Sequence, residues 1–410
     1  MENNRAGGRD CLAKQDYSLG VVGSGARAQV ICRNLRDLGT FPFSVDAVYD
    51  ADAEAAQRFI RAFGHGGTAV CGSYLEVIEG RPDAVIITSV NSAHLGPAAA
   101  CFEAGIPVYM EKPLAATWED TRELVRRWRS RRTPAVVGFV LRYTTFYRKV
   151  KELCSSGALG DIVQIYADEN FGPRLVSLFL RGWRRFREHA GPILSEKCCH
   201  DLDMLNWITA SRPVRVASLG ARTVFTPRDD VPDRCRGCPA YETCLYRCEY
   251  PDPEGARRDD GIREYSDDLQ DLCVWNCEKD VLDHQTAVIE YESGTVATLS
   301  LNMSAEATRR TIRVWGTRGR IEGDLEDGRV VEYPVDGSAP KEHAVAPANE
   351  SGHHGGDRAI AAELEKAVTD PEGFAPLASV EEGYASALVA FAADRSLRER
   401  RTVECAELEE

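Results

Sequence analysis

Residues 18–28 constrain the fold more than any other stretch. They pass from a short apolar run (Leu19, Val21, Val22) through a glycine turn (Gly23, Gly25) into an amphipathic run (Val30, Ile31, Leu35, Leu38) that stops at Gly39. This reads as a buried strand, a tight turn and a helix over 26–38, with Ala28 small enough for the helix to pack on the strand. The free N–H groups at such a helix start favour a pyrophosphate lying over the glycines. The pattern is the Gly-x-Gly-x-x-Ala form of the dinucleotide fingerprint. Gly23, Gly25, Ala26 and Arg27 are therefore read as cofactor-binding. A second apolar strand, 45–49, ends at Asp50. A carboxylate there can accept from both hydroxyls of an adenosine ribose and repels a 2′-phosphate, so the expected cofactor is NAD(H) over NADP(H).

The chain has 410 residues and a formal net charge of −14. That length allows two domains with substantial cores. The acidic balance argues against a nucleic-acid or anionic-membrane surface, and no apolar run approaches the length of a membrane span. Residues 1–16 are polar and read as a disordered leader, followed by a dinucleotide-binding domain over 17–138 and a second domain over 139–410. A cytoplasmic location is expected. The 14 cysteines suggest thiols and metal ligands more than disulfides in a reducing compartment.

Beyond Asp50 the pattern predicts a helix over 53–63, a glycine-rich turn at 64–67, a short helix at 74–78 and a buried strand at 83–88. Ligands bind outside the strand C-termini of an open parallel sheet. Ser89, Asn91 and His94 are thus placed near the cofactor, with helix capping or packing the competing role for His94. A helix over 97–104 and a strand over 107–110 lead into Glu111-Lys112-Pro113. A lysine at a strand tip beside a cofactor can hydrogen-bond a substrate hydroxyl and stabilise a developing alkoxide. The competing reading is a surface lysine paired with Glu111.

Together, Gly-x-Gly-x-x-Ala, Asn91-x-x-His94 and Glu111-Lys112-Pro113 resemble the glucose–fructose oxidoreductase / inositol dehydrogenase / MocA family. The likeness continues through 138–143, which looks like that family's crossover, and through 157–162. It covers most of 18–225 and 283–400. The resemblance implies an α/β plus α+β fold: an N-terminal Rossmann domain and a C-terminal domain with a mixed, largely antiparallel sheet. It also implies an NAD(P)-dependent oxidoreductase acting on CH–OH groups of sugars or cyclitols, with Glu111 and Lys112 at the cofactor, and a homodimer or homotetramer. Arg142 and His354 are its candidate substrate residues; the chain's own residues add Trp183, for its aromatic ring, and Lys197, which an ideal helix would point elsewhere.

Residues 191–207 read as one helix entered through Gly191-Pro192. Glu196 and His200, four apart, share a face. The carboxylate can orient the imidazole and raise its basicity, and His200 can then move the substrate hydroxyl proton. The resembling family usually has Asp where Glu196 stands and often Gly where Cys198 stands, which bears on substrate identity more than on reaction type. Cys198 and Cys199 read as packing residues. Residues 181–187, basic and aromatic around Trp183, could meet an anionic or sugar substrate or form a solvated loop.

From about 225 to 283 the chain becomes charged and cysteine-rich: Cys235, Cys238, Cys244, Cys248, Cys273 and Cys277 fall within 43 positions. Such a set suits structural Zn²⁺, with Cys235, Cys238 and Cys244 foremost and the fourth ligand open; an iron–sulfur cluster is the alternative. Alternating runs after 283 predict antiparallel strands. His354 precedes Asp357, a helix-cap candidate, and the tail from Glu404 reads as frayed. The expected function is oxidation or reduction of a sugar or cyclitol carbinol. The alternatives are a redox-neutral glycosidase or lyase using a keto-sugar intermediate, and a non-catalytic NAD-binding sensor.

Overall fold

The structure is a computed structural model, described here for residues 16–248, 271–345 and 354–410. The expected leader and His353 fall outside these residues, apart from Asp16. The first sheet is wholly parallel: β1 (Tyr17–Val22), β2 (Phe43–Tyr49), β3 (Gly64–Val70), β4 (Ala84–Ile87), β5 (Val108–Met110) and β6 (Ala135–Val137), in the order β3-β2-β1-β4-β5-β6. The order reverses between β1 and β4, which opens a crevice at their C-terminal ends. Leu19, Val21, Val85, Ile86 and Ile87 are fully or almost fully buried, as both faces carry helices. The glycine-rich segment at 64–67 is not a free turn. It forms edge strand β3 on β2, where ladder pairing overrides weak strand propensity.

Among the described residues the second sheet has nine strands: β7 (Ile162–Asn170), β8 (Pro213–Ala221), β9 (His284–Tyr291), β10 (Val296–Asn302), β11 (Arg309–Gly316), β12 (Gly319–Asp324), β13 (Arg329–Pro334), β14 (Lys341–Ala344) and β15 (Val403–Glu404). Only the β7–β10 pair is parallel; the others are antiparallel. One face packs on the helices Thr145–Ser155, Cys199–Thr209 and Val380–Glu399. The opposite face leaves Tyr166, Leu219 and Val288 exposed.

Two segments depart from expectation. The tail is tied down, not frayed: β15 pairs with β8, and the Leu408 carbonyl accepts from Trp118 Nε1 at 2.6 Å. The helix Gly356–Thr369 packs back on the first domain, its Ile360 and Leu364 joining that domain's core. Asp357 does not cap this helix, whose N-cap is Gly355.

Candidate active site

A cleft of about 640 Å³ lies over the crevice between β1 and β4. At one end it is built from backbone. Gly23 sits at φ +85°, and a Cβ there would stand 2.4 Å from Ser89 N. No other residue fits without displacing the loop after β4. Gly25, by contrast, has open space where its side chain would be, facing the cleft. The helix Ala26–Leu38 starts there with no side-chain cap, so its first N–H groups remain for a ligand. Asp50 lines the same end. Its Oδ2 accepts from Ser24 N (2.6 Å) and Ser24 Oγ (2.8 Å), and its Oδ1 from Asp52 N (2.9 Å). These contacts aim the carboxylate and leave it capacity for ribose hydroxyls. A dinucleotide therefore fits the residues present.

Ala26, Arg27, Ser89, Asn91, Glu111 and Lys112 also line the cleft. Arg27 sits in the helix's first turn and bonds Glu111 Oε1 through Nε (2.7 Å) and Asp357 Oδ1 through Nη2 (2.8 Å). Tyr109 donates to the same Glu111 oxygen at 2.7 Å. Burial pushes the Glu111 carboxyl up, but Arg27 and Lys112 more than offset it and hold it below its ordinary value. His94 is the exception among the expected cofactor residues. It is fully buried, does not line the cleft, and its ring nitrogens lie 2.9 Å from Pro113 O and 3.1 Å from Ser89 O. Burial pulls its pKa below the usual value, with the two carbonyls drawing it partly back, and the ring packs between Pro113 and Ser89.

The other end is built from side chains. The expected continuous helix is broken: Ile193–Glu196 is one short segment, Lys197 and Cys198 turn out of it, and Cys199–Thr209 is the next. Glu196 and His200 therefore do not share a helix face. Glu196, 1% exposed, accepts from Asn91 Nδ2 at 2.6 Å and from Arg184 Nε at 2.7 Å. Lys112 Nζ donates to the Glu196 carbonyl at 2.7 Å and lies 3.8 Å from Oε1. The Glu196 carboxylate thus braces Lys112 and Arg184, and the role expected for it, orienting His200, is replaced. His200 lines the cleft, its ring edge-on to Phe139.

The break also turns Lys197 into the cleft, where an ideal helix would have pointed it elsewhere. Lys197 Nζ lies 3.4 Å from Glu169 Oε1, above the rings of Phe171 and Phe179. Burial pulls its pKa below the ordinary value, with Glu169 drawing it partly back. Behind it Arg310 pairs with both Glu169 and Asp201. Trp183 lines the cleft, with Arg184 stacked over its ring.

Two expected substrate residues lie elsewhere. Arg142 is 5% exposed and forks onto Asp203 at 2.8 and 2.7 Å, with Nη1 on Leu377 O. Its guanidinium is committed to a buried pair. His354, at φ +54°, faces Glu326 at 3.9 Å and does not line the cleft. Of the six insert cysteines, Cys235 and Cys248 draw together with Asp271, a residue absent from the expected ligands. Cys238 and Cys244, expected beside Cys235, lie outside that compact group. Sequence reasoning also missed Glu169 and Arg310, and read Asp357 only as a helix cap; their contacts span 28 to 330 positions and leave no local signal.

The model of the oxidoreductase family's NAD-binding Rossmann fold matches residues 17–139, and that of the same family's C-terminal alpha/beta domain matches 151–405. The chain is 25% identical over 358 residues to the oxidoreductase YteT of Bacillus subtilis (strain 168), spanning 80% of this chain and 82% of that protein. It is 30% identical over 192 residues to inositol 2-dehydrogenase 3 of Saccharopolyspora erythraea, spanning 46% and 53%. Its fold matches that of levoglucosan dehydrogenase, solved with NADH and levoglucosan, with a TM-score of 0.74 at 18% identity over 95% of this chain and all of that one. The chain belongs to the Gfo/Idh/MocA oxidoreductase family, with that family's NAD-binding Rossmann domain and α/β C-terminal domain.

Proposed function

We propose that this chain is an NAD(H)-dependent oxidoreductase acting on a secondary alcohol, or the matching ketone, of a sugar, sugar derivative or cyclitol. The observation that carries the reading is the convergence of Lys112, Lys197 and His200 at one end of a cleft whose other end is the glycine turn and Asp50. Bound NAD(H) supplies the hydride acceptor or donor. The glycine turn and the helix start take the pyrophosphate, and Asp50 takes the adenosine ribose. Lys112, fixed by the Glu196 carbonyl, donates to the substrate oxygen and stabilises negative charge there. His200 removes the hydroxyl proton in oxidation and returns it in reduction. Lys197 contacts a second substrate hydroxyl, and Trp183 supplies an apolar face for a sugar ring. The relatives named for inositol and levoglucosan favour a cyclic polyol substrate. The exposed Tyr166, Leu219 and Val288 on the open sheet face support self-association.

The test is an NADH-fluorescence screen with NAD⁺ against inositols, aldoses, amino sugars, anhydrosugars and glycosides, with His200→Ala alongside. NADH growth with one substrate class, lost in the variant, is expected. Glycoside cleavage without NADH growth would redirect the reading to redox-neutral chemistry. Absence of any turnover with NAD⁺ bound would leave a sensor and overturn the enzyme reading.

A further inference from the structure

Away from the cleft, the cysteine-rich segment builds a second site. Its two ends are clipped together: Cys235 N donates to Asp271 O and Cys273 N to Asp233 O, each at 2.8 Å, around a bridge between Arg234 and Leu272. Cys235 and Cys238 are joined by a tight turn, with Cys238 N on Cys235 O at 3.0 Å and Gly237 at φ +74°. Cys235 Sγ, Cys248 Sγ and a carboxylate oxygen of Asp271 lie within 4.8 Å of one another. Cys238, Cys244 and Cys273 line, with Cys235, an adjoining cavity of about 320 Å³. Cys277 stands apart, its thiol on Leu180 O at 3.0 Å. Every described cysteine is a thiol and not half of a disulfide.

We propose that Cys235, Cys248 and Asp271 hold a structural Zn²⁺, with the fourth position taken by one of Cys238, Cys244 and Cys273. Tetrahedral zinc with bonds of about 2.0–2.3 Å sets its ligand atoms about 3.3–3.8 Å apart. Cys248 Sγ and Asp271 Oδ1, 3.8 Å apart, stand at that spacing, and Cys235 Sγ lies within 4.8 Å of Cys248 Sγ and an Asp271 carboxylate oxygen. The mixed thiolate and carboxylate set suits zinc; an iron–sulfur cluster is held by thiolates on a larger frame.

The site reaches the cleft through residues 180–187. The buried Arg181 donates to Cys235 Sγ (3.5 Å), to Leu272 O (2.7 Å) and to Tyr246 O. Arg185 donates to Glu278 O at 3.0 Å. Between them Trp183 and Arg184 are presented to the cleft, and Arg184 holds Glu196. The zinc therefore acts as a positioning element for the substrate end, a role that rests on the function proposed for the cleft.

The test begins with metal analysis of the full chain purified without chelator, where about one zinc per chain is expected. Cys248→Ser and Asp271→Ala should lose most of it, and Cys277→Ser should keep it. Because those variants can misfold, wild type loaded with Co²⁺ provides an independent readout: thiolate-to-cobalt charge-transfer bands are expected. Folded wild-type protein without zinc, or iron accompanied by acid-labile sulfide, overturns the assignment, as does full zinc retention in Cys248→Ser. Zinc removal should raise KM for substrate several-fold while leaving NADH binding unchanged. An unmoved KM would overturn the positioning role and leave the metal site standing.

Discussion

The two ends of the cleft are made of different material. The cofactor end is backbone: a positive-φ glycine pressed on Ser89, an uncapped helix start, and a carboxylate held by Ser24. All of it lies within residues 22–52 and the strand beside them. The substrate end is side chain. Lys112, Arg184, Glu196, Lys197 and His200 arrive from separate segments, backed by Glu169 and Arg310 on the neighbouring sheet. A backbone site tolerates change in most side chains and fails at the few positions where a Cβ cannot fit. A side-chain site fails wherever one member of a buried charge set is removed, because the remainder is left unpaired.

The sharpest way to break this contrast is Lys112→Ala. It should lower kcat by about 10²–10³-fold while NADH still binds, since the pyrophosphate end is untouched; loss of NADH affinity in a fluorescence titration would mean the ends are not separable. Next comes Arg142→Ala, which strands Asp203 in the interior. Urea denaturation should show a loss of about 3–5 kcal/mol, with substrate KM unchanged in protein that remains folded. A raised KM would return Arg142 to the substrate site. Gly23→Ala tests the opposite end: strain of about 1–3 kcal/mol and weaker NADH binding are expected, with no change in the pH profile of turnover.

The smallest effect concerns the charges behind Lys197. Burial, with Glu169 adding to it against Arg310, pushes the Asp201 carboxyl up to about 7. A folded-state pKa above the unfolded value means the folded protein holds a proton the unfolded chain has released. That contribution to stability is complete below the unfolded pKa and is lost as pH rises through the folded one. The wild-type Tm should therefore fall between about pH 4 and pH 7, and Asp201→Asn should flatten the slope. An unchanged slope in the variant would assign the dependence to another group, such as Asp203, whose burial raises it to about 6.

Much of the cofactor end is legible in the sequence. The strand, glycine turn and helix at 17–38 follow from steric rules and apolar periodicity that act over a few residues, and the helices Ala26–Leu38 and Ala53–Phe63 fall where the pattern put them. The substrate end was legible only as a set of names. No glycine or proline marks the break after Glu196. That break decides that Lys197 enters the cleft and that Glu196 serves Lys112 and not His200. Arg142 has the same chemistry as a substrate-binding arginine, and only the meeting with Asp203, 61 positions on, commits it to the interior.

The sequence by itself determined the parallel domain, its dinucleotide turn and the identity of the lysine and histidine at the site, because each depends on local backbone geometry or on chemistry a residue carries anywhere. Tertiary structure alone decided which charges are paired. In a low-dielectric interior the partner within a few ångströms outweighs every local preference, and chain distance does not say which partner that is.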